Sequence, residues 1–225
     1  MNLLPLQRRI SFALHVPDLN RCRCLLALCA LQVIATRAVS AQSAPTHTWG
    51  FVTARIDSRF SHYVYTGYGY DAPFIVGALV ANPRNGYSEQ ILGVGSRLPP
   101  VLKVTQLAAV TYCNASDSRY AQIYYLPSRT LGRLSASATL EAYLPLDSAG
   151  VRQFGITSMQ VTTRIRGPFT AGIVYELSAA ERSPTSQGAG VALRLALPGA
   201  ELGVDALRGL AHQQDHARMS FRAFY

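Results

Sequence analysis

The chain has no run of about 20 consecutive apolar residues, the length a membrane-crossing helix needs. Charge is scarce as well: only 15% of its 225 residues are charged while 49% are hydrophobic. Cysteine amounts to four residues, and Cys22, Cys24 and Cys29 all lie near the N-terminus. The one that remains, Cys113, has no partner for an internal disulfide. No HExxH, GxSxG or phosphate-loop pattern occurs, and no CxxC follows the first forty residues, so metalloprotease, serine-hydrolase and nucleotide-binding readings have no motif to rest on. No basic run is interleaved with aromatics, which argues against a nucleic-acid partner despite a formal net charge of +9. Nothing suggests a cofactor or a bound metal.

Part of that charge belongs to a leader. Arg8, Arg9, Arg21, Arg23, Arg37 and the single acid Asp18 precede Ala41, leaving 16 basic against 11 acidic residues beyond it. Arg21 and Arg23 stand before the short apolar run Leu25 to Ile34, and Val39-Ser40-Ala41 supplies the small residues a signal peptidase reads. The expectation is a signal peptide over 1–41, cleaved after Ala41, and one domain over 42–225. The first twenty residues are long for such a leader, which a start codon placed too far upstream would explain.

What is abundant is alternation. Leu134, Ala136, Ala138, Leu140, Ala142 and Leu144 oppose Ser135, Ser137, Thr139, Glu141 and Tyr143. Val191, Leu193, Leu195 and Leu197 oppose Gly190, Ala192, Arg194 and Ala196 in the same period of two. Turn residues cut the chain into twelve such segments, ten if the stretch between Trp49 and Asn82 is over-divided. Tight connections at Pro99-Pro100, Gly167-Pro168 and Pro198-Gly199 alternate with longer ones, among them 113–117, 181–187 and 211–216. The segment 127–131 reads as a connection of intermediate length.

The last nine residues set Ala217, Met219, Phe221, Ala223 and Tyr225 against Arg218, Ser220, Arg222 and Phe224. Met219, Phe221, Ala223 and the terminal Tyr225 resemble the C-terminal signature of bacterial outer-membrane β-barrels. That resemblance implies an all-β fold, an antiparallel transmembrane barrel. It further implies residence in the bacterial outer membrane against lipid and lipopolysaccharide, and Met219, Phe221, Ala223 and Tyr225 as the signal read by the assembly machinery. A soluble exported β-sandwich shares the alternation and stands as the alternative fold.

In a barrel the polar faces turn inward, which collects Glu141, Arg164, Glu176, Arg194, Glu201 with Asp205, and Arg222 on six successive strands, with Lys103 and Arg97 helping. Opposite charges on neighbouring strands can pair, and Arg194 would lie diagonally between Glu201 and Asp205 if Leu197 pairs with Ala200. Two readings follow: a narrow small-solute channel with weak anion preference, or a plugged structural or interaction barrel filled by salt bridges. Known twelve-stranded barrels include narrow solute channels and a phospholipase. Arg84, Arg119, Arg152, Arg182 and Arg218 are expected near the outer rim. Asp215-His216 superficially resembles the acid and base of outer-membrane proteases but reads more simply as a solvated loop, so no catalytic residue is expected.

Overall fold

The computed structural model describes residues 48–58, 62–70 and 73–225. The leader and its expected cleavage point lie outside them. The described residues form twelve strands. The first six are β1 (Thr48–Asp57), β2 (His62–Tyr70), β3 (Pro73–Asn82), β4 (Tyr87–Val101), β5 (Val104–Ala115) and β6 (Arg119–Leu131). The rest are β7 (Leu134–Pro145), β8 (Gln153–Arg166), β9 (Phe169–Ala180), β10 (Ser183–Leu197), β11 (Ala200–Ala211) and β12 (His216–Phe224).

Every strand pairs antiparallel with its neighbours in sequence, and β12 pairs with β1 to close the ring. Closure abolishes the free edges a sandwich would keep, so the sandwich and the ten-strand alternative both fall away. At the seam Thr53 faces Arg222 and Asp57 faces Arg218. The Gly50 amide donates to the Tyr225 carbonyl at 2.8 Å, the Tyr225 amide returns a bond at 3.1 Å, and the Tyr225 ring stacks on Tyr68.

At the end of the barrel where β12 finishes, the five strand connections are two residues each; at the other end they run from two to seven residues. Three expected connections differ in position. Pro99 and Pro100 stay inside β4, where a register shift between Leu98 and Val101 absorbs residues that have no N–H to offer a ladder. The turn moves on to Leu102 and Lys103, both with positive φ (50° and 62°), as a two-residue hairpin turn requires. Residues 127–131 belong to β6, and the hairpin turns on Gly132-Arg133. The expected loop 181–187 shrinks to Glu181-Arg182, because β10 starts at Ser183 and accommodates Pro184 in an irregularity between Ser183 and Ser186.

The two faces are sorted inside out relative to a soluble protein. Leu92, Val94, Ile173 and Met219 are each about 65% exposed on the outer surface, whereas Glu141, Asp205 and Arg218 are buried within the barrel. An apolar belt around a polar interior is the sorting a hydrocarbon surround imposes. The interior itself has two unlike halves. From β3 to β6 it is lined by Phe74, Val76, Ala78, Val80, Ile91, Ala109, Cys113, Tyr120 and Tyr124, which pack into one apolar cluster. Around β7 to β12 and β1 it carries the charges.

Candidate functional site

The charged half of the interior is one connected network. Arg218 on β12 is its hub: Nη1 donates to Glu176 Oε2 at 2.7 Å, Nη2 to Asp205 Oδ2 at 3.0 Å, and Nη1 also to the Thr157 carbonyl at 3.0 Å. The strand register dictates this, since Arg218 stands directly opposite Asp205 on β11. Asp205 meets a second guanidinium on its other oxygen, with Arg194 Nη1 2.6 Å from Oδ1. Arg194 Nη2 reaches on to Gln160 Oε1 at 2.9 Å, and Gln160 Nε2 donates to Ser137 Oγ at 3.1 Å. On the other side of the hub, His216 Nε2 lies 3.1 Å from Glu176 Oε1 and 3.9 Å from Asp57 Oδ2, and Gln213 donates to the same Glu176 oxygen. A run of charges from Asp57 to Arg194 thus alternates in sign, as buried charges must if each is to keep a partner.

Glu141 stands apart from that run and is held by hydroxyls: Thr157 Oγ1 donates to Oε1 at 3.1 Å and the Tyr143 phenol to Oε2 at 3.2 Å. Glu89 accepts the Tyr87 phenol at 2.5 Å. Arg55 projects between the two halves, its guanidinium 5.1 Å from the Tyr63 ring centroid, a cation–π contact. Arg222 donates from Nε to Thr53 Oγ1 at 3.1 Å and faces Glu201 across the β11–β12 pairing.

Three cavities divide the lumen. One of about 390 Å³ includes Asp57, Asn82, Tyr87, Glu176 and Gln213 in its wall, at the end with the longer loops. One of about 230 Å³ is lined by Ser128, Ser137, Gln160, Arg194, Glu201 and Arg222, toward the two-residue turns. A smaller one of about 110 Å³ lies against Phe51, Phe74, Val76, Ile91 and Tyr124 of the apolar wall. Arg55 borders all three, and Arg218 borders the two larger ones. These two arginines therefore mark the narrowing between an outer and an inner vestibule.

Of the lumen residues expected from sequence, Glu141, Glu176, Arg194, Glu201, Asp205 and Arg222 all line these cavities. Leu197 does pair with Ala200, and Arg194 lies opposite Gly203, between Glu201 and Asp205, with its ion pair made to Asp205. Arg164 has inward parity, opposite Thr170, but stands exposed near the turn end of β8 and lines none of the three cavities. Lys103 is not on the ladder: the shift of the β4–β5 turn puts it at the hairpin tip. Met219, Phe221 and Tyr225 lie exposed on the outer face and Ala223 is half-buried there.

Arg218 and His216 correct the sequence reading. Arg218 was expected at the rim and is 3% exposed at the centre of the network; His216 belongs to β12, not to a solvated loop, and is buried. The parity that places Arg222 inward also places Arg218, four residues earlier. Arg55 and Asp57 were overlooked because β1 mixes apolar and polar residues on both faces. Among the described residues no three His, Cys, Asp or Glu side chains converge as a metal site would need.

No protein-family model matches the chain, and no curated protein matches it in sequence. Solved structures do match in fold. The KdgM porin superimposes with a TM-score of 0.56 at 10% identity, over 77% of this chain and 98% of that one. The same porin in complex with disordered oligogalacturonate gives 0.55 at 8% identity, over 79% and 98%. The NanC porin gives 0.52 at 9% identity, over 78% and 99%. At such identities the likeness is one of architecture: this chain has the closed antiparallel barrel fold of these porins.

Proposed function

We propose that this protein spans the bacterial outer membrane and conducts small hydrophilic solutes through a narrow lumen with a weak preference for anions. The observation that carries the reading is the line of three cavities inside a closed barrel whose polar faces turn inward and whose apolar faces turn out. Porin folds in the neighbours, one of them bound to an acidic oligosaccharide, support the same class. The anion preference rests on Arg55 and Arg222. Among the described residues neither makes a printed ion pair, and both face a cavity, so each can meet a passing carboxylate or phosphate. Serine, threonine and glutamine side chains around the inner vestibule offer hydrogen bonds to hydroxylated solutes. In this reading the outer belt meets lipid and lipopolysaccharide, the end with short turns faces the periplasm, and Met219, Phe221, Ala223 and Tyr225 are recognised by the assembly machinery. The chain performs no catalysis.

A second reading has its own observation. Arg218, Glu176 and Asp205 fill the narrowing and are nearly inaccessible, as in a plugged barrel with a structural or interaction role. Single-channel recording of the refolded barrel in a planar bilayer separates the two. Folding is scored by the mobility difference between unboiled and boiled samples. Stable openings with a reversal potential on the anion side of zero, moved toward cations by Arg222→Glu, support the channel. A folded but silent barrel refutes it.

A further inference from the structure

The charges in the lumen are not evenly spread along its length. The outer cavity sets Asp57, Glu89, Glu141 and Glu176 against only Arg55 and Arg218. The inner cavity sets Arg55, Arg194, Arg218 and Arg222 against only Glu201 and Asp205. Arg55 and Arg218 belong to both and mark the boundary. The carboxylate excess therefore lies on one side of the narrowing and the guanidinium excess on the other. The facing wall of Phe74, Val76 and Ile91 contributes no charge that could offset either. A low-dielectric wall beside an unbalanced charge concentrates its field in the remaining water.

From this arrangement we infer that the lumen is a bipolar junction that rectifies ionic current, passing it more readily when the long-loop end is positive. The inference rests on the channel reading and adds a direction to it. Cations are the abundant carrier in the acidic outer vestibule and anions in the basic inner one. With the loop end positive, cations move inward and anions outward, so each ion first crosses the vestibule that concentrates it, and both accumulate at the Arg55–Arg218 narrowing. With the polarity reversed, each ion must first cross the vestibule that repels it, and the narrowing is depleted. The effect also bears on neutral molecules with separated charges. A solute with an ammonium at one end and a carboxylate at the other is stabilised when its ammonium points to the loop end.

The test is the current–voltage curve of single refolded channels in symmetric salt. Orientation is scored by a bulky thiol reagent added to one side of a Ser148→Cys variant, Ser148 being exposed in the long β7–β8 loop while Cys113 is buried. At 0.1 M salt, where the screening length is about 10 Å, currents at +100 and −100 mV should differ by about two- to fivefold. At 1 M, where it is about 3 Å, the ratio should approach one. Glu89→Gln, which keeps an acceptor for Tyr87, and Arg222→Gln should each lower the ratio at 0.1 M without abolishing conductance. Channels that open but conduct equally in both directions at 0.1 M overturn the junction and leave the channel reading standing. So does the opposite polarity, or a ratio that neither variant nor salt alters. A folded barrel that never opens overturns the channel reading itself, and the junction with it.

Discussion

Replacing Arg218 by methionine tests whether the interior network holds the barrel together. Methionine keeps much of the arginine's length and loses its charge. The change removes the bonds to Glu176 at 2.7 Å and to Asp205 at 3.0 Å, where the side chains are only 3%, 11% and 9% exposed. Removing one partner of a buried ion pair costs about 3–5 kcal/mol, mostly because the charge left behind is uncompensated. Here Asp205 keeps Arg194 at 2.6 Å and Glu176 keeps His216 at 3.1 Å, which places the expected loss near the lower end, about 3 kcal/mol. The comparison is Arg152→Met on the exposed pair with Glu181, 3.6 Å apart and 73% and 48% exposed, where less than about 1 kcal/mol is expected. Adding Glu176→Gln to Arg218→Met removes the stranded charge and should recover a substantial part of the loss, so the double variant is more stable than the Arg218 single. Urea unfolding in lipid vesicles, followed by Trp49 fluorescence, measures all four. If Arg218→Met loses no more than Arg152→Met, the network is water-filled and incidental, and the argument from burial is wrong.

Three further outcomes are expected. Asp147, in the β7–β8 loop, has its carboxyl held down to about 2 by the Ser118 hydroxyl, then by the Arg119 amide and guanidinium and the Gly150 amide. A folded-state value below the ordinary 3.8 stabilises the loop above about pH 4, and that contribution is lost as pH falls through about 2. Limited proteolysis of the 146–152 loop should therefore accelerate across that window in the native protein, while Asp147→Asn cleaves readily at every pH. Ile173→Arg, at a position 65% exposed on the outer face, should destabilise the barrel in vesicles by about 2–4 kcal/mol if that face meets the bilayer midplane; a neutral effect in unfolding titrations would put it outside the hydrocarbon. Tyr225→Ser removes the ring stacked on Tyr68 and one residue of the proposed assembly signal. The amount of heat-modifiable barrel in outer-membrane fractions should fall several-fold, with refolding into synthetic vesicles much less affected.

The strand count and the inward set were legible because a period of two in side-chain chemistry maps directly onto faces. Hairpin positions were less legible. Pro99-Pro100 looked like a turn from composition, yet a bulge lets a strand carry prolines through and hands the turn to Leu102 and Lys103, residues with no turn preference of their own. The role of Arg218 was hidden for a different reason. Its parity was visible, but its depth depends on where β12 begins, and on a long side chain reaching Glu176 on a strand that is not its neighbour. The apolar half of the lumen could not be read at all, since Phe74 to Val80 is apolar on both faces and shows no alternation.

That uneven legibility is itself a property the folding chain must contend with. Sliding β3 by one residue would exchange Val76 and Ala78 for Ile75 and Gly77 in the interior, a swap the hydrophobic effect scarcely distinguishes. Sliding β12 by one would push Arg218 into the hydrocarbon and draw Met219 inside. The barrel thus stores its positional information in one half of its circumference: the charged strands act as a key that accepts a single alignment, and the apolar strands take their places by being stitched to them.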